Sequence, residues 1–240
     1  MTDTPITEAL DNVAHHDLRY DARHGEAYGD NVNQVLIFPT EFADIQREYP
    51  ILFRQEADGS FISVALLGLD RNENLFLGED GWQGRYIPAM RARGPFVIGM
   101  RGADDADPQV HVDLSDPRIG RETGDPLFLT HGGNSARLDR VAQTLRTLHQ
   151  GREISPHMFA AFQQTGILAP TKIDLALDES TGYSLPGFFT VNAEALHNLS
   201  AEALEALNRS GFLTLAFYAL SSLGNMQRLI DLKAARHAKG

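Results

Sequence analysis

Cysteine is absent from all 240 residues. That excludes disulfides, thiolate zinc sites, iron–sulfur clusters and cysteine nucleophiles together. Positive charge is scarce, with 21 Lys and Arg against 32 Asp and Glu and a formal net charge of −11. Nucleic-acid binding rests on Lys and Arg neutralising phosphates, so nucleic acid is not an expected partner. The densest basic stretch, Arg85, Arg91, Arg93 and Arg101, reads as solvated arginines flanking strands. Long apolar runs are missing as well, and no window approaches the roughly 18 residues of a membrane span. Residues 1 to 18, MTDTPITEALDNVAHHDL, have neither a basic start nor an apolar core. They do not read as a secretory signal, and the expected location is the cytoplasm.

Catalytic signatures are equally sparse. There is no His-Glu-x-x-His pair, no P-loop, no Gly-x-Gly-x-x-Gly and no Gly-x-Ser-x-Gly elbow. Asp178 to Gly182 lacks the alternating ligands of an EF-hand and reads as a hairpin turn. His15, His16 and His24 form the densest histidine group, yet adjacent residues face different ways, and the group reads as solvated. Thr130 to Ser135 carries two glycines ahead of a helix and reads as a connection ending in a cap at Asn134 or Ser135. No metal site and no cofactor are therefore expected. A competing reading is an enzyme whose metal site assembles from scattered residues such as His111, Asp113 and His131.

Hydrophobic content of 42% and charged content of 22% suit a globular chain long enough to bury a core. Residues 1 to 33 read as an irregular arm, anchored by Val13, Leu18 and Tyr20. From Gln34 onward, short apolar runs alternate with turns: Gln34–Phe38, Ile51–Arg54, Phe61–Leu69, Asn74–Leu77, Phe96–Met100 and Val110–Leu114. Thr40 opens a short helix with Phe42, Ile45 and Tyr49 on one face, and Pro50 ends it. The connections are too short for crossover helices, which makes the pairing antiparallel. Near Ser135 the period changes. Leu138, Val141, Leu145 and Leu148 mark a helix ending at Gly151, and Ser155-Pro156 opens another ending at Gly166. Lys172–Leu177 and Tyr183–Val191 read as a hairpin, Asn192 and Ser200 as helix caps, and Gly211 as the start of the longest helix, reaching Lys233. The fold class is α+β, a mainly antiparallel sheet from the N-terminal half packed against helices of the C-terminal half. Residues 34 to 240 are expected to form one domain.

Two features point outward. Trp82, the only tryptophan, follows a glycine turn and precedes Arg85, Tyr86 and Pro88. An indole beside a guanidinium offers a planar apolar face with a charged rim, so these four residues are the candidate ligand site. The terminal helix carries an apolar surface wider than one core face needs, with small residues at Ala216, Ala219, Ser222 and Gly224. That pattern suits a homodimer through the C-terminal helix.

The stretches Glu41-Phe42, Tyr49 to Phe53, Asn74 to Phe76, Tyr86 to Ala89 and Pro95-Phe96, with Ser221 to Asn225 near the end, resemble the bacterial SapC-like family. The resemblance implies an accessory role linked to the cell-surface layer, export or uptake, with a protein or peptide partner. It brings no catalytic residues with it, and a non-enzymatic function is the expectation.

Overall fold

A computed structural model describes residues 7–99, 109–176 and 182–238. The acidic stretch after Gly102 and the turn at 178–181 lie outside the described residues. The chain forms two compact units, Met1–His24 with Ala89–His149, and Gly25–Pro88 with Gln150–Gly240.

The larger unit is built on a five-stranded antiparallel sheet. Its order is Leu168–Ala176, Gly182–Val191, Ile51–Gln55, Phe61–Leu66 and Gln34–Ile37. The Asp58-Gly59 turn works as expected, since Gly59 takes φ +84° and Ser60 N–H donates to Asp58 Oδ1. The later hairpin completes the sheet by setting Phe188 opposite Arg54 and Phe189 opposite Phe53. Phe53 and Phe61 then meet Phe159 from the long helix at 5.3 and 5.7 Å between ring centroids. Sheet and helices share one aromatic core, and the α+β class holds.

The two helices expected on either side of Gly151 are one helix, Ala136–Gln164, with Pro156 inside it. Gly151 does not stop it, because a Cβ there would collide with Phe38 and Thr40. The glycine is required for close approach and not for a cap. Conversely, the single terminal helix expected from Gly211 to Lys233 is two, Phe212–Ser222 and Asn225–His237. The break falls where side chains are drawn elsewhere. Ser222 Oγ accepts from Ile51 N–H at 2.8 Å, and Asn225 Nδ2 donates to the Gln46 and Tyr49 carbonyls. Asn192 and Ser200 cap their helices as read, accepting from Ala195 and Ala203 N–H.

In the smaller unit, Gln109–Asp113 pairs with Thr7–Ala9 on one side and Phe96–Gly99 on the other. Arg19–Tyr20 pairs with Ile119–Gly120 and Asp125–Pro126. The stretch read as an irregular arm thus supplies two short strands. They order because Leu18 and Tyr20 are buried with Phe96, Val112 and Leu127, whereas Val13 is left exposed. His15, expected in solvent, is buried, and its Nδ1 accepts from Asp11 N–H at 3.1 Å. Ser135 caps the long helix through Arg137 and Leu138 N–H.

Candidate functional site

Pro50 ends the helical turn begun at Phe42–Ile45, and this delivers Glu48 and Tyr49 side by side, both buried. Gly81, at φ +99°, turns Gly78 back so that Trp82 pairs with Leu77. The indole Nε1 donates to Tyr49 Oη at 2.9 Å, and that hydroxyl donates to the Tyr86 carbonyl at 2.6 Å. Gly84 lies against the pair, and a Cβ there would collide with Tyr49 Oη and crowd the indole nitrogen. Glu48 Oε2 accepts from Arg85 and Tyr86 N–H at 2.7 and 3.2 Å. Two successive amides of this kind make an anion-binding concavity, and here the chain's own carboxylate fills it. Arg228 Nη1 approaches Glu48 Oε1 at 3.4 Å and sits over the Phe76 ring.

Of the four candidate residues, Pro88 is buried, Trp82 and Tyr86 are half-buried, and only Arg85 has an exposed side chain. Burial raises the Tyr49 hydroxyl above the phenol range, against the bond from Trp82. Burial also raises Tyr86, with Glu41 and Asp44 adding to the effect. Both phenols therefore stay protonated at neutral pH and are not bases, and that of Tyr49 serves as a donor. Glu48, Tyr49 and Arg228 complete the corner and were not singled out as site residues. The Tyr49-Pro50 pair signals the first two, but nothing local marks Arg228, 180 residues from Glu48.

A second polar cluster lies in the same unit. Lys233 Nζ donates to Asp70 Oδ2 at 2.5 Å and Glu73 Oε1 at 2.6 Å. Glu73 Oε2 accepts from Leu69 and Asp70 N–H, and Tyr183 Oη donates to Asp70. Burial opposes the charge on Lys233, but the bonds to Asp70 and Glu73 outweigh it and hold the proton more firmly than in an ordinary lysine. A nucleophilic or general-base lysine needs the opposite shift.

The SapC family model matches residues 10–229. The chain belongs to the SapC family. No curated protein and no solved structure matches it. Of the stretches that carry the SapC resemblance, Tyr49 to Phe53, Asn74 to Phe76, Tyr86 and Ser221 to Asn225 meet in the corner just described, whereas Pro95-Phe96 belongs to the core of the smaller unit. Tyr49 packs on Phe76 at 4.5 Å and bonds Tyr86, Asn225 bonds the Tyr49 carbonyl, and Ser222 bonds Ile51.

The scattered metal ligands fare differently. His111 and Asp113 share a strand with His-x-Asp spacing, but Asp113 Oδ1 is taken by Ser115 N–H and Oγ, and His131 is exposed in a turn. Among the described residues no group of three or more His, Asp or Glu is placed to hold a metal. No helix among them is long and apolar enough to cross a membrane.

The helix pair Ala201–Arg209 and Phe212–Ser222 has an unusual division of its surface. Of the four small residues expected to admit a partner helix, Ala216, Ala219 and Ser222 are buried in the fold itself and Gly224 is exposed. Two large residues are left outside, Leu204 43% and Phe217 54% exposed, while Leu207 is buried. No charge occurs from Ser210 to Gln227.

Proposed function

We propose that this SapC-family protein is a non-enzymatic binding or accessory protein that engages a protein partner through the helix pair 201–222. The carrying observation is the contrast between its polar and apolar groups. Glu48, Tyr49, Lys233 and Glu73 direct their donors and acceptors into the fold. Phe217 and Leu204 are exposed, and the stretch from Ser210 to Gln227 around Phe217 carries no charge, while Leu204 is flanked by Glu202 and Glu205. An exposed apolar surface with its charges confined to one rim suits a protein contact. The fitting occupant is an apolar segment of another protein, working beside surface-layer, export or uptake machinery on the cytoplasmic side. Trp82, Arg85, Tyr86 and Arg228 are groups of the Glu48–Tyr49 corner that reach solvent, and a small ligand there would meet them first.

Affinity capture under native conditions tests this reading. One protein recovered stoichiometrically by the wild type and lost with Phe217→Asp supports it. Light scattering at micromolar concentration identifies the case in which that protein is a second copy. Capture that is unchanged in the variant contradicts it, as does stoichiometric iron or zinc in protein purified without a tag.

A further inference from the structure

The five-stranded sheet of the larger unit has two unlike edges. Gln34–Ile37 closes one side with four residues, whereas Leu168–Ala176 forms the other with nine. No strand among the described residues pairs with the outer side of Leu168–Ala176. Such an edge offers a row of backbone N–H and C=O groups to any strand that matches it, and folded chains keep exposed edges short or covered. Along this one the side chains alternate. Pro170, Lys172, Asp174 and Ala176 are exposed, while Thr171, Ile173 and Leu175 are half-buried. Ile173 and Leu175 share their face with Leu185 and Tyr183, which stand opposite them on the neighbouring strand.

The strand's two charges are opposite in sign, with Ile173 between them. Lys172 Nζ lies 3.0 Å from Asp174 Oδ2, and Ser184 also bonds Asp174 from the neighbouring strand. A strand of this pattern is its own complement. Set antiparallel to a second copy with Ile173 opposite Ile173, Lys172 faces Asp174 and Asp174 faces Lys172, two directly opposed pairs of unlike charge. Thr171 then faces Leu175, so exposed and half-buried residues keep to their own faces of the joined sheet. Pro170 faces Ala176, and its missing N–H falls at the margin of the contact. Centring the pair on Lys172 or Asp174 would oppose like charges, and a one-residue slip would set exposed side chains on the half-buried face. Lysine and proline also serve to guard edges, but a guard works through unanswered charge, and here Asp174 cancels Lys172.

We propose that two copies of the chain pair antiparallel through residues 170–176 about a two-fold axis at Ile173, joining their five-stranded sheets edge to edge. The contact does not rest on the partner-binding role of the helix pair. The test is sedimentation of the full chain from about one to several hundred micromolar, because one strand pair is a small interface. The wild type reaches twice the chain mass as concentration rises. Lys172→Asp and Asp174→Lys, both at exposed positions, each weaken the dimer by about tenfold or more. An equimolar mixture of the two variants restores it, since every opposed pair is then again unlike in charge. The ion pair within each strand stays broken in that mixture, so a merely structural role for Lys172 and Asp174 gives no such rescue. Phe217→Asp leaves the dimer intact. Should a charge variant fail to fold, Ile173→Cys, in a chain with no other cysteine, cross-links to its copy on oxidation while Thr171→Cys does not. The proposal is overturned by a wild type that stays monomeric throughout, by a mixture no more dimeric than its components, or by equal cross-linking at both positions. A dimer dispersed by Phe217→Asp but not by Lys172→Asp belongs to the helix pair and overturns it equally.

Discussion

Replacing Lys233 with methionine removes one charge while keeping an apolar stem beside Tyr183, 5.8 Å from the ammonium. Lys233 is 5% exposed and Glu73 9%, so the change leaves a buried carboxylate without its cation. Removing one member of a buried pair costs about 3–5 kcal/mol. Two features keep the figure at the lower end. The Asp70 side chain is 53% exposed and loses at most about 1 kcal/mol. Glu73 keeps both backbone donors on its other oxygen. The expected loss for Lys233→Met is therefore about 3 kcal/mol, read by denaturant unfolding. Adding Glu73→Gln should recover most of it, because replacing both members of a buried pair is often nearly neutral. The pH dependence has a definite sign. The folded pKa of Lys233 lies above that of the unfolded chain, so its contribution is fully present below about pH 10 and is lost only as pH rises beyond. The penalty should be constant from roughly pH 6 to 9. A loss under about 1 kcal/mol, or no recovery in the double variant, would refute the reasoning.

Three further changes probe the neighbouring contacts. Gly84→Ala should cost about 2–4 kcal/mol by driving Tyr49 Oη off Trp82 and Tyr86, and the emission of the single tryptophan should shift with it. An unaltered emission spectrum would show that the corner is not held as described. Ser222→Ala should cost about 1–3 kcal/mol, because it strands the buried Ile51 N–H, and a neutral result in unfolding would contradict that bond. Trp82→Ala should cost about 2–3 kcal/mol, below the full value for a buried aromatic because the indole is half-buried. A loss under about 1 kcal/mol would instead mark the indole as held out for a ligand.

Much of the fold was legible because it is locally encoded. Apolar runs closed by Pro50 and by Asp58-Gly59 give the central strands, and Asn192, Ser200 and Ser135 announce their helices by side-chain capping. What was not legible depends on contacts distant in sequence. Gly151 looks like a breaker until Phe38 and Thr40 are brought against the helix. The terminal helix looks continuous until Ser222 and Asn225 are seen to serve the Tyr49–Ile51 segment. Trp82, Arg85 and Tyr86 were legible as a group from their glycine turns, but Glu48 beneath them and Arg228 across from them were not. Which side of the terminal helix faces inward was misread for the same reason. Periodicity favours burying the large residues, whereas close packing against the sheet and the short helix after Pro39 selects Ala216, Ala219 and Ser222.

The account turns on whether the Phe217 face meets a protein. A photoreactive phenylalanine analogue at position 217, irradiated in living cells, reads this directly, with the same analogue at Glu205, exposed on the adjacent helix, as reference. The account predicts one discrete cross-linked species from position 217, abolished by Leu204→Asp with the thermal transition unchanged. No adduct at 217, or one that persists unaltered in the Leu204 variant, would contradict it.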